Sequence, residues 1–341
     1  MSASKNLIQA AAGVGGDFYP YTVDYSARFN QADSSYMTWT PSGAGDSTQT
    51  FSFSFWFKRS DLGDRQFLFS WRTTSSDQVN LFINSDDTMK VYINDNSVVD
   101  ELVTTQVFRD TSAFYHVVFE VDTTQATESD REKLWINGVR ITDFSTEQYV
   151  PQNATLNVGN ASRRDLFARG WNSDEYWGGY MSQVAYTDGT AYTASDFGEF
   201  KNGVWVPKDI SGLTFGTNGF YLDFSNSAAL GTDVSGNGNN FTTSGLTSLD
   251  QMIDTPTNNF WTFPTMVSRV GQTGTTASEG NLRFVTDNSE HNLGLGLPTS
   301  GKWYFEAQSQ NCYPGNGYRG FIGVQDPVGN AESNCSPPGT Y

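Results

Sequence analysis

The residues best placed to do chemistry sit together in FEVDTTQ, residues 119–125. Glu120 and Asp122 lie two apart in AFYHVVFEVD, where Tyr115, Val117, Phe119 and Val121 occupy every second position. A period of two is the mark of a β-strand, so both carboxylates point to one side of a sheet, about 6.8 Å apart along it. Paired carboxylates are the equipment of glycoside hydrolysis, and a retaining enzyme needs a nucleophile and a separate acid/base about 5–5.5 Å apart. Beyond Asp122 the chain offers only Thr123, Thr124 and Gln125. An amide cannot donate and recover a proton, a role that contributes on the order of 10²–10⁴ in rate. Glu120 and Asp122 are therefore expected on a solvated strand face, and the chain is not expected to be an enzyme.

Other reactive residues are sparse. His116 and His291 are the only histidines, which excludes a histidine-rich metal site and a paired-histidine mechanism. Cys312 and Cys335 are the only cysteines. They leave a mutual disulfide open and form no recognisable nucleophile signature with a histidine. Asp86, Asp87, Asp95 and Asp100 gather around one hairpin, but without the spacing of a calcium loop they are expected to be an acidic turn. No metal and no cofactor is expected, and calcium is unsupported by the spacing. GNGNN, residues 236–240, lacks the lysine and following helix of a phosphate cradle. One stretch stands out from the acidic background: NASRRDLFARGWNSDEYW, residues 160–177. Arg163, Arg164 and Arg169 crowd beside Trp171, with Asp174, Glu175 and Tyr176 following. Tryptophan and arginine are enriched at binding hot spots, so these seven are the candidates for contacting a glycan or a partner. The competing reading is a surface loop whose Trp171 caps the edge of the core.

Strands must position these groups. The chain has 341 residues, 15% of them aromatic and only 17% charged, enough apolar mass for a large β-domain. In TFSFSFWFK, residues 50–58, Phe51, Phe53, Phe55 and Phe57 alternate with Ser52, Ser54, Trp56 and Lys58, which puts four rings on one inward face. VNLFINSDDTMKVYIND predicts a hairpin turning at 85–88, and KLWINGVRIT a second one on Asn137-Gly138. The glycines of YWGGYMSQVAYTDG predict a strand with a bulge or a close backbone approach. A net charge of −17 repels phosphate backbones, so nucleic acid is not an expected partner. No apolar run is long enough to span a membrane as a helix. Residues 1–24 are small and Gly-rich, too poor in apolar surface to fold on themselves, and end in FYPYTVDY. They predict a docking arm anchored by Phe18, Tyr19 and Tyr21, in an oligomer or a larger assembly; the alternative is an arm lying across its own sandwich. The strand pattern weakens over 232–278, read as a linker, and resumes over 279–341 with too few strands for an independent domain. Either the natural chain continues past Tyr341 or these strands complete a sheet elsewhere.

AFYHVVFEVD followed by KLWINGVRI resembles the core of the concanavalin A-like, laminin-G-type sandwich, which YWGGYMSQVAYTDGTAYTASDF would close. The likeness covers about residues 25–231 and implies an all-β antiparallel jelly roll. In the related laminarinase-type enzymes the strand reads Glu-x-Asp-x-x-Glu, and the last Glu supplies the acid; Gln125 stands there in this chain. SGKWYFEAQ and RGFIGVQD resemble the opening of a SPRY-like domain, here incomplete, over residues 279–341. Taken with KNLIQAAAGVGG, YSARFNQADSSYMTWTP, GTNGFYLDF and DTPTNNF, the chain resembles virion appendage proteins of tailed, marine-type bacteriophages. That resemblance implies a non-enzymatic tail- or head-fibre protein in the virion, docked to other virion proteins through residues 1–24, displaying sandwiches to a host-surface glycan or protein. A capsid decoration or connector that binds only virion proteins is the alternative, and a glycan-degrading enzyme the remote one.

Overall fold

The computed structural model describes residues 18–95, 99–170, 174–260, 262 and 276–285. The chain divides into two units, Met1–Leu295 and Gly296–Tyr341, and the described residues all lie in the first. The SPRY-like strands expected beyond residue 285, His291, Cys312, Cys335, Trp171 and residues 1–17 of the arm lie outside the described residues.

Two eight-stranded antiparallel sheets pack face to face. The chain runs through β1 (Ser26–Phe29), β2 (Tyr36–Trp39), β3 (Thr50–Arg59) and β4 (Gln66–Thr74). β5 (Asp77–Ile83), β6 (Thr88–Asp95), β7 (Val99–Val107) and β8 (Tyr115–Asp122) follow. Next come β9 (Glu132–Ile136), β10 (Val139–Arg140), β11 (Phe144–Glu147), β12 (Arg164–Leu166) and β13 (Gly179–Asp188). A one-turn helix α1 (Ala194–Phe197) leads into the hairpin β14 (Gly198–Lys201) and β15 (Val204–Pro207). β16 (Phe220–Leu222), β17 (Thr242–Ser244) and β18 (Gln251–Met252) close the body. The hairpin β19 (Thr276–Ser278) and β20 (Arg283–Val285) follows. The first sheet orders β10-β9-β8-β3-β13-β1-β18 with β16 on β13, and the second β11-β7-β6-β5-β4-β12-β2-β17.

The expected register holds. Phe51, Phe53, Phe55, Phe57, Val117, Phe119 and Val121 are fully buried in one core between the sheets, and Tyr115 packs at its margin. Burying each phenyl ring contributes about 1.5–3 kcal/mol before entropy is counted. Asn137 and Gly138 take φ of 48° and 79°, the left-handed pair that lets β9 return as β10. Gly179 sits so close to β3 that a Cβ would meet the Lys58 carbonyl at 2.1 Å, and β13 bulges between Ser182 and Ala185. Both features of the glycine-marked strand are thus present.

The stretch read as a linker contributes strands instead. β17 pairs with β2 and β18 with β1, giving each sheet an edge strand. Phe241 enters the core. The loop GNGNN is held by Asp233, which accepts from the amides of Ser235 and Asn239, while Asn237 and Asn239 reach the carbonyl of Gly219. Polar side chains closing turns on distant backbone carry no periodicity, which is why a strand pattern does not register there. The turn 279–282 also belongs to the sandwich: Tyr180 Oη donates to the Gly280 carbonyl at 2.9 Å and Asn281 Nδ2 to that of Ser60 at 2.9 Å.

Candidate binding site

The carboxylate face of β8 is not solvated as expected. A third layer, built from α1, β14, β15 and residues 208–215, lies over the outer side of the first sheet, where its Phe197, Ile210 and Phe215 make a second apolar cluster with Val118, Ala185 and Tyr221 of that sheet. Beneath it Glu120 is only 5% exposed. Its carboxylate accepts from Lys133 Nζ at 2.8 Å and Trp135 Nε1 at 2.9 Å. Asp122, at the strand end, accepts from the Thr124 amide, Thr124 Oγ1 and Gln125 Nε2. Burial alone would raise the Asp122 pKa, but these donors outweigh it and hold it below the usual carboxylate range. Gln125, at the position of the missing acid, therefore ties Asp122 down.

His116 lies on the same roofed face. Trp205 Nε1 donates to its Nδ1 at 3.0 Å, so its proton sits on Nε2 and is donated to Ser54 Oγ, also at 3.0 Å. Burial pushes its pKa down to about 3. With the ring's lone pair occupied by Trp205, His116 cannot serve Ser54 as a base.

The arginine-rich stretch separates into parts with different roles. Arg164 is a core residue: 1% exposed, it lies 4.5 Å from the Trp71 ring and 5.3 Å from that of Tyr186, and donates to the Val158 carbonyl. The expectation of a surface contact fails for it because β12 alternates, placing 164 inward and 163 and 165 outward. Arg163 is half-buried at the outer face, where it meets Thr38 Oγ1 at 3.0 Å and Asp165. Arg169 grips Asp174 with two bonds of 2.8 and 2.6 Å. Glu175 pairs with Arg65, and Tyr176 lies 6.1 Å from the Tyr36 ring. Arg169, Asp174, Glu175 and Tyr176 thus gather near the starts of β2 and β4, whereas Arg163 stands at the other end of β12.

That outer face carries a feature the strand patterns contained but that periodicity alone does not single out. Cross-strand partners run in one unbroken row: Thr242, Thr38, Asp165, Ser70, Asn80, Tyr92 and Glu101. Every member carries a hydrogen-bonding group. Asp165, Ser70 and Asn80 are buried, the first two against Gly170, while Thr38, Tyr92 and Glu101 are half-buried. The buried members relay order outward: Ser70 Oγ donates to Asn80 Oδ1 at 2.7 Å, and Asn80 Nδ2 donates to Gln78 Oε1 at 3.0 Å. Lys90 binds Glu101 at 2.7 Å and lies 5.4 Å from the Tyr92 ring. Gln78 and Asn94, cross-strand partners on the same face, complete an open polar field around Tyr92. The signal available in sequence was the outward set Gln78, Asn80, Lys90, Tyr92, Asn94 of one hairpin; joining it to Asp165 and Thr38 needs the sheet order.

The remaining candidates have structural partners. Asp87 is buried and salt-bridged to Arg59 and Arg109, and Asp86 caps the turn through Thr88. Asp100 is buried, and the side chain of Asp95 lies outside the described residues. No group of three acidic, histidine or cysteine side chains able to hold a metal occurs among the described residues. Phe18, Tyr19 and Tyr21 are half-buried against their own domain: Lys201 Nζ lies 5.8 Å from the Phe18 ring, and Tyr21 shares a hydrogen bond with Tyr221. Val23 is bonded in both directions to Thr257 Oγ1.

Residues 31–196 match a laminin G family model described as the concanavalin A-like lectin/glucanases superfamily. The chain therefore carries a concanavalin A-like, laminin-G-type sandwich. Among solved structures it is similar to a heptameric pentraxin of Limulus polyphemus, at 14% identity and TM-score 0.38, over 52% of this chain and 80% of that one. It is also similar to domain 4 of a Geobacillus stearothermophilus arabinanase in complex with arabinotriose, at 20% identity and TM-score 0.33, over 44% and 65% of the two chains. Domains LG4-5 of the mouse laminin alpha1 chain match at 9% identity and TM-score 0.36, over 58% and 48%. No curated protein matches the chain.

Proposed function

We propose that this chain is a non-enzymatic glycan-binding module of a tailed-phage virion appendage, with the outer face of the second sheet as its binding surface. The observation that carries the reading is the polar field around Tyr92, backed by the buried relay from Ser70 through Asn80 to Gln78. Sugar hydroxyls both donate and accept, so they are matched by a surface that mixes amides, hydroxyls, a carboxylate and a cation around an aromatic ring. Gln78, Asn94, Glu101, Lys90 and Tyr92 supply that mixture, and the buried layer holds Gln78 in place, which reduces the ordering cost of binding. The non-enzymatic part rests on Gln125 and on the engagement of Glu120 by Lys133 and Trp135. Placement in the virion, docking of residues 1–24 to other virion proteins, and oligomerisation rest on the resemblance of the sequence motifs.

A glycan array probed with the whole chain, followed by titration of the best ligand against Tyr92→Ala and Gln78→Ala, tests this. Affinity is expected to fall at least about tenfold in each, the loss of one or two hydrogen bonds or a ring contact. Binding that is unchanged in both variants overturns the assignment of this face. Polysaccharide turnover by the wild type that disappears in Glu120→Gln overturns the non-enzymatic reading.

A further inference from the structure

Lys58 stands on β3 with its side chain wholly removed from solvent. Its Nζ donates to Asp254 Oδ2 at 2.9 Å, to Asn259 Oδ1 at 2.9 Å and to the Phe260 carbonyl at 2.5 Å. The rings of Phe114 and Tyr180 lie 5.7 and 5.5 Å away. A buried ammonium facing one carboxylate is an ion pair. A buried amine facing both a carboxylate and a carboxamide is also the full set needed for amide aminolysis: nucleophile, electrophile and proton carrier.

We propose that Lys58 and Asn259 join covalently through a side-chain isopeptide bond, with Asp254 carrying the protons. Both partners are held in place for it. Asn259 Nδ2 donates to the Ser112 carbonyl at 2.8 Å, which leaves Oδ1 turned toward Lys58. The Phe260 amide donates to Asp254 Oδ1 at 3.0 Å, which leaves Oδ2 on the amine. Contact enforced by the fold replaces a bimolecular encounter. Burial pushes the Lys58 pKa down and that of Asp254 up, against their mutual attraction, so each is moved toward the neutral form the reaction uses.

The step balances without any co-reactant. Asp254 takes a proton from the Lys58 ammonium, and the freed lone pair attacks Cγ of Asn259 to form the new C–N bond. The bond from Cγ to Nδ2 then breaks, the proton held by Asp254 passes to the departing nitrogen, and ammonia leaves with the second amine proton as ammonium. Asn259 is exposed at its turn, so the leaving group has a path to solvent. The product would tie the centre of the first sheet to a segment 201 residues away in sequence.

The test is the intact mass of the denatured, full-length wild-type chain, followed by proteolytic mapping. The expected result is a mass lower than the sequence mass by one ammonia, with one branched peptide linking residues 58 and 259. Asp254→Ala and Asn259→Ala are expected to show the full sequence mass, and Asn259→Asp to lose one water in place of ammonia. A wild-type chain of full mass after prolonged incubation in its native state overturns the proposal. So does loss of ammonia without the branched peptide, because a succinimide at Asn137-Gly138 would give the same mass. Neither result depends on whether a variant folds.

Discussion

Glu132 makes a pH prediction that can be worked through. It is the first residue of β9 and points into the space between the sheets, where it is 2% exposed. Oε2 accepts from the Val150 amide at 2.8 Å. Burial, and after it the neighbouring Asp100, push its pKa up from 4.5 to about 8, against the Val150 bond and Arg131, which lower it. The folded protein therefore holds a proton on Glu132 through a range in which the unfolded chain has released it. Stability from this group is complete below pH 4.5, falls as pH rises, and is gone once pH has passed about 8. At about 1.4 kcal/mol per pH unit, the whole window corresponds to roughly 5 kcal/mol. Glu132→Gln keeps the shape and the Val150 acceptor but has no proton to lose. Near pH 7 it should be more stable than the wild type by about 3 kcal/mol, and near pH 4 the two should coincide. Urea denaturation of both chains at pH 4, 5, 6, 7 and 8, followed by tryptophan fluorescence, gives the difference directly, and carboxylates common to both cancel. Two stability curves that stay parallel from pH 4 to 8 would refute the claim that Glu132 is protonated in the fold.

Two further outcomes follow from the same geometry. Glu120→Ala strands Lys133 Nζ and Trp135 Nε1 beneath the third layer, so it should cost about 2–4 kcal/mol in urea denaturation; a cost under 0.5 kcal/mol, usual for solvated surface sites, would show that the face is open. Removing residues 2–20 should lower the melting temperature of the isolated protein by no more than about 4 °C, roughly 1 kcal/mol, while abolishing its assembly; a large thermal loss would end the docking reading of Phe18 and Tyr19.

What could be read from the sequence divides along the range of the interaction. The inward faces of β3 and β8 were legible because a period of two is local, and one residue of slip would have moved every phenylalanine to the other side. The Asn137-Gly138 turn was legible for the same reason, as was the bulged strand after Gly178 and Gly179. The solvation of Glu120 was not. Alternation tells which residues share a face but is silent on what covers it, and the cover comes from residues 194–215, far along the chain. Arg164 illustrates the converse: its neighbours Arg163 and Arg169 are at the surface, and only the alternation of a three-residue strand sends it into the core.

The segment DTPTNNF, residues 254–260, shows why the supposed linker could not be recognised. Asp254 and Asn259 reach Lys58, Thr257 clips Val23, and Thr255 and Asn258 close the turn between them. Asp254 also takes Ser26 Oγ on its carbonyl. Nothing in this chemistry repeats along the chain, and each bond spans about two hundred residues or more except those of the turn itself. Lys58 in TFSFSFWFK looked like the polar end of an amphipathic strand. In the folded protein it draws this polar segment across the first sheet, its charge doing so until a bond to Asn259 forms, and with Val23 it fastens the entry of the chain to its exit. An unpaired ammonium buried there would cost several kcal/mol. The two halves of the motif therefore depend on each other, and a substitution at either should release both ends of the sandwich together.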